Sequence, residues 1–251
     1  EESADRAQRL VESHEWEQAL VELDAVIAVH PHEALWHTQR AQVLDELDRL
    51  DEAAEAYRQA HELDPDSIEL TTCLGIALIR VGRYEEAVRF LEDLARRQPD
   101  YEPAFCHSLA AYTRLGDHDK AEEMFYSAQQ INDQCPNCFH HLAESLACRG
   151  LFEKALYCWQ RVLEIDPDYP QVHRRMAQVY RIQGDHAKAR ESCLAALRQD
   201  PADFDVLADL GDLLVDMKDY AGATAKYTHL LELKPGHARA SVMLALMEMR
   251  V

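Results

Sequence analysis

The chain has 251 residues, 47% of them hydrophobic and only 8 of them glycine, so it can bury a large interior and is neither disordered nor fibrous. Its formal net charge of -20 excludes DNA and RNA as expected partners, because nucleic-acid affinity rests on neutralising phosphates with Lys and Arg. No run approaches the roughly 20 uninterrupted apolar residues of a bilayer span, and "EESADRAQRL" at the start is charged where a secretory segment would be apolar, so neither membrane insertion nor export is expected.

The elements follow one ruler along the chain. Pro31, Pro65 and Pro99 lie 34 residues apart, as do Pro167, Pro201 and Pro235, and Asp133 stands at the midpoint of the double gap from 99 to 167. Twelve residues before each of these points is an alanine: Ala19, Ala53, Ala87, Ala121, Ala155, Ala189 and Ala223. Eight before is a larger residue: Leu23, Tyr57, Leu91, Phe125, Trp159, Cys193 and Tyr227. A small and a large residue at fixed offsets suit two antiparallel helices in close contact. In several units a glycine (Gly82, Gly116, Gly150, Gly184) ends a first apolar stripe, and a second stripe runs on to the proline.

Seven helical hairpins are therefore predicted, over residues 1–33, 34–67, 68–101, 102–135, 136–169, 170–203 and 204–237, with an extra helix over 238–251. In the first, Ala4, Ala7, Leu10 and Val11 make a narrow stripe that suits a polar cap on the array. In the fourth, Leu109 stands where the other units have a small residue. The last helix carries "SVMLALMEM", residues 241–249, with Val242, Met243, Leu244, Leu246, Met247 and Met249 around most of its circumference. Apolar surface is expected to stay exposed there, covered by self-association or by a further domain.

This pattern resembles the tetratricopeptide repeat family, most closely in "LGIALIRVGRYEEA" over residues 74–87. The resemblance implies an all-α, right-handed superhelical solenoid of antiparallel helix pairs, a single domain over 1–251 with the first helices lining a concave groove. It also implies a non-enzymatic scaffold whose partner is a protein or peptide. The search for catalytic motifs agrees, since there is no Gly-rich phosphate loop, no G-x-S-x-G and no H-E-x-x-H.

If the family register applies, the groove is bordered by Asp5, Glu12, Asp45 and Glu46 at one end and by Asp209, Asp212 and Asp216 at the other. Between them fall Arg80, His107, Arg114, His140, His141, Arg174, Arg175 and Arg181. In a chain so acidic, arginines gathered on one wall point to a ligand with acidic features, since Arg suits bidentate carboxylate contacts. The plainer alternative is a solvated surface on which these arginines pair with acids of adjacent repeats, such as Glu144. Only two asparagines occur, Asn132 and Asn137, so a chaperone-adaptor clamp is not expected.

The joint between the fourth and fifth units reads "NDQCPNCFHH", residues 132–141. The proline has crossed the joint to Pro136, at the first position of the next helix, where its missing N–H does no harm. Cys135 is placed in the turn and Cys138 in the first helical turn, where the helix dipole favours thiolates. The favoured reading is structural, a buried cysteine at a joint with neither metal nor cofactor. A zinc site would need two more ligands, for which Cys106, His107 or His141 are nearest, and a redox dithiol would lack its usual strand–helix context. Seven cysteines, an odd number set mostly inside helical patterns, fit reduced thiols and a cytoplasmic protein.

Overall fold

The computed structural model describes residues 2–248, and every regular element among them is an α-helix. The chain divides into two compact units, Glu1–Ser145 and Leu146–Val251. In the first, α1 (Glu2–Glu12) pairs with α2 (Trp16–Val29), α3 (Ala34–Glu46) with α4 (Leu50–Leu63), α5 (Ile68–Arg80) with α6 (Tyr84–Arg97), and α7 (Glu102–Leu115) with α8 (His118–Ile131). The ninth helix, α9 (Pro136–Cys148), runs across the division. The second unit holds α10 (Phe152–Ile165), the pair α11 (Val172–Ile182) and α12 (His186–Gln199), the pair α13 (Phe204–Asp216) and α14 (Tyr220–Leu233), and α15 (Ala238–Glu248). Within each unit a second helix also packs on the next first helix, as α4 does on α5 and α12 on α13.

The prolines explain where second helices stop. A residue before proline is pushed out of the helical region by the proline ring. Accordingly His30, Asp64, Gln98, Asp166, Asp200 and Lys234 cap their helices with φ between -139 and -123°. Asn132 ends α8 with φ -144° although Asp133 follows it, so the turn survives without its proline.

First helices end at a left-handed residue. Gly82, Gly116, Gly150 and Gly184 have φ of 80, 77, 74 and 78°, as their spacing predicts. The same conformation recurs at the same period without glycine, at His14 (φ 59°), Asp48 (φ 56°) and Lys218 (φ 62°).

The alternation of small and large residues forms the core. All seven alanines of the predicted series are fully buried, and so are Leu23, Leu91 and Tyr227, with Tyr57, Phe125, Trp159 and Cys193 at 6% exposure or less. Two glycines sit in close contact with core side chains. A Cβ on Gly75 would lie 2.6 Å from the Leu91 side chain, and one on Gly211 would lie 2.6 Å from the Tyr227 ring. Leu109, the odd residue of the fourth hairpin, is itself fully buried and α7 still packs on α8.

At the start of the chain Ala7 is buried while Ala4, Leu10 and Val11 are half-buried. On α15, Met243 and Leu244 pack against the core of the second unit and Met247 is buried, whereas Val242 and Leu246 are 58% and 41% exposed. Met249 lies outside the described residues.

Candidate functional site

The first-helix face of the first unit carries Arg80, His107, Arg114 and His140. Arg80 on α5 donates to Asp45 on α3 at 2.6 Å, and Tyr57 donates to the same carboxylate at 3.4 Å. Arg114, at the end of α7, stands 3.9 Å from Glu144 on α9. His140 Nε2 and His141 Nδ1 approach that carboxylate at 3.8 and 3.7 Å. His107 is pushed down to about 4, first by burial and then by the neighbouring His141. One acid thus gathers an arginine and two histidines, beside a third histidine held neutral near pH 7.

In the second unit α11 and α13 present a ladder of charge. Arg174 donates to Asp209 at 3.1 Å and to Asp205 at 2.8 Å, and Gln178 joins Asp209 at 3.1 Å. Arg181 donates to Asp216 at 2.6 Å and lies 3.7 Å from Asp212. From α15, Arg239 adds a further pairing to Asp209 and Asp212. Arg175 is half-buried on the same helix as Arg174. A cleft of about 490 Å³ opens beside this ladder, floored by Ala177, Leu213 and Cys193 and edged by Arg181, Asp209 and Asp216.

Arg80 is set against Asp45, the histidines and Arg114 gather on Glu144, and Arg174 and Arg181 share the acids of α13. Asp205 and Arg239 were not among the residues that the sequence singled out, whereas Asp209 and Asp216, each 35 residues after its arginine, were. Nor did the sequence single out a second cleft, about 590 Å³, in the first unit. There Arg58 and His61 lie against Phe90, Arg58 is paired with Glu86 at 2.7 Å, and Arg97 reaches Pro65 and Asp66.

At the joint, Pro136 opens α9, Cys135 precedes it and Cys138 lies in its first turn, as predicted. What the spacing did not disclose is the company they keep. Cys106 and Glu102, one turn apart on α7, bring a sulfur and a carboxylate oxygen within 4.8 Å of the sulfurs of Cys135 and Cys138. His107 and His141, the other ligand candidates, are not in this group. The Cys138 thiol donates to Glu102 at 3.0 Å, and the Cys138 N–H donates to the Cys135 sulfur at 3.4 Å. Hydrogen bonding, to Cys106 first, holds Cys135 far below the ordinary thiol range. The contact with Cys135, with burial, holds Cys106 far above it, the contacts with Cys106 and Cys135, with burial, do the same for Cys138, and burial raises Glu102.

Comparison with known proteins fits this architecture. Sequence models of the tetratricopeptide repeat match residues 4–68, 44–111, 103–135, 144–181 and 170–203. The Arabidopsis thaliana "Protein CTR9 homolog" is 24% identical over 216 residues, covering 67% of this chain and 20% of that protein. The human "Protein O-mannosyl-transferase TMTC1" is 25% identical over 157 residues, covering 61% of this chain and 18% of that protein. The chain thus spans about a fifth of the length of these curated relatives. A solved tetratricopeptide repeat protein from Parabacteroides merdae superposes with a TM-score of 0.79 at 15% identity over 98% of each chain, a likeness of fold alone. With its period, its paired helices and these matches, the chain belongs to the tetratricopeptide repeat family.

Proposed function

We propose that the chain is a non-enzymatic scaffold that seats a partner protein or peptide with acidic features on the face formed by its first helices. The observation that carries this reading is the cleft beside α11 and α13, where an apolar floor adjoins Arg181 and its aspartates. Such a site takes an apolar side chain while a neighbouring carboxylate of the partner exchanges with Asp216 on the guanidinium. Arg114 offers a second foothold, since its side chain is 52% exposed and its distance to Glu144 is long for an ion pair. Free thiols at all seven cysteines support a cytoplasmic setting for this scaffold. No helix among the described residues is long and apolar enough to cross a membrane. Self-association or a further domain through residues 241–249 belongs to the same proposal, Val242 and Leu246 being exposed. Light scattering that stays monomeric across concentrations, unchanged by Val242→Glu, would remove the self-association branch.

The test is selection of a random peptide library on the immobilised chain, followed by anisotropy with the enriched peptides. Acidic peptides should dominate, and replacing Arg114, Arg174 and Arg181 together by Glu should weaken them about tenfold or more. Equal enrichment of basic and acidic sequences, or affinity untouched by the triple replacement in a variant that keeps its helical circular dichroism, would sink the acidic-partner reading.

A further inference from the structure

The geometry points to a metal site at Glu102, Cys106, Cys135 and Cys138, four ligands for a thiolate-seeking divalent ion, zinc in the first place, that would staple α7 to the joint between α8 and α9. Three sulfurs and one carboxylate oxygen lie within 4.8 Å of one another, the number and donor types of a closed tetrahedral zinc site. Cys106, Cys135 and Cys138 are 3%, 7% and 1% exposed, so an ion there would be shielded from water. The Cys138 N–H directed at the Cys135 sulfur is the kind of outer hydrogen bond that orients a thiolate ligand.

The repeat itself sets these four residues apart. One repeat earlier the same four slots hold Ile68, Thr72, Tyr101 and Ala104. There they serve ordinary packing. Ala104 is buried with Leu94 and Ala95, Ile68 and Tyr101 pack against them, and the Thr72 hydroxyl meets that of Tyr101 at 3.4 Å. The fold therefore needs no sulfur at this place. At the next joint all four slots change together to metal-binding residue types, which a packing role for a single buried cysteine does not explain. Loading would exchange the protons that these ligands carry for the ion, leaving three thiolates and a carboxylate around it.

The nearby trio of His140, His141 and Glu144 also brings its ligand atoms within 4.8 Å of one another. It is the weaker cation site, because the Arg114 guanidinium already stands 3.9 Å from Glu144 and repels a second positive charge.

The experiment uses the full chain, reduced, stripped with a chelator and dialysed against zinc alone. One zinc per chain should remain by atomic emission. Cobalt in its place should show thiolate charge-transfer absorption in the near ultraviolet and strong visible bands of a tetrahedral ion. Hundredfold excess of zinc over its dissociation constant should raise the melting temperature by about 5–10 °C. Cys106→Thr and Cys138→Ala import residues that the preceding repeat already accommodates, so these variants should fold. Each should lower zinc affinity at least about tenfold, and Glu102→Gln should do likewise. Failure of the reduced wild-type chain to retain zinc would overturn the site, as would a cobalt spectrum without sulfur character. Metal that survives Cys106→Thr with Cys138→Ala but is lost in His141→Ala would move the ion to the histidine trio and equally overturn the proposal.

Discussion

Arg181 Nε donates to Asp216 Oδ2 at 2.6 Å, across 35 residues of sequence, and the same offset joins Arg174 to Asp209 and Asp45 to Arg80. One residue more than the repeat period carries each contact from one first helix to the next. The partners of the first pair are 36% and 38% exposed, so solvent screens them and the coupling should be no more than about 1 kcal/mol. A double-mutant cycle in urea with Arg181→Gln and Asp216→Asn measures it. A coupling above about 2 kcal/mol would show that this face is built for stability rather than for exchange with a partner.

The contact between Gly211 and Tyr227 predicts a steep steric cost. Gly211→Ala would drive a methyl to 2.6 Å from a fully buried ring, and the strain should exceed the gain in helix propensity, for a net loss of about 1–3 kcal/mol. Gly236→Ala, where nothing lies within 4 Å of the new Cβ, is the control and should be near neutral. Equal denaturation midpoints for the two variants would contradict the packing described for α13 and α14.

Lys218 holds a left-handed backbone at the slot where four other hairpins place glycine. Lys218→Gly relieves that conformation at some expense in unfolded-state entropy, and should stabilise by about 0.5–1 kcal/mol. The reverse exchange, Gly184→Ala, should cost about 1–2 kcal/mol. Thermal and urea unfolding of both variants give the check, and a destabilised Lys218→Gly chain would mean that the lysine side chain contributes more than its backbone costs.

His61 sits in the cleft of the first unit with its pKa lowered, first by burial and then by Arg97. Its unfolded value is about 6.5, so between that and the lower folded value the unfolded chain binds more protons. The stabilising contribution is thus complete above about pH 6.5 and is lost as pH falls through the folded pKa. His61→Gln should lose less stability than the wild type between pH 7 and pH 5, and the imidazole resonances should place the His61 midpoint below that of a free histidine. A midpoint at or above about 6.5 counts against the burial of this ring.

Much of the fold was readable before any coordinates, because the repeat writes its packing twice, once as proline and once as the alanine series ending in Ala223. The positive φ at Lys218 was not readable from residue type, and at His14 and Asp48 only a mild preference of His and Asp for that region joins the period. Of the site, Cys135 and Cys138 announced themselves by spacing, and Cys106 was in view as a neighbour. Glu102 escaped because a carboxylate in the first turn of a helix is commonplace, and only the fold shows Cys106 and Glu102 on the side of α7 that meets the joint. The arginine band was legible as residues but not as interactions. Whether a guanidinium awaits a ligand or already holds an aspartate depends on how adjacent first helices are aligned.

The fit of Gly75 against Leu91 and of Gly211 against Tyr227 also bears on how the chain folds. Each contact spans only sixteen residues, from 75 to 91 and from 211 to 227, so the loop closed to make it costs little entropy. A chain whose buried contacts are this local has low contact order and reaches its native pairings quickly. During synthesis each hairpin can close as soon as its second helix leaves the ribosome, and the apolar face it then presents is the surface on which the next hairpin nucleates.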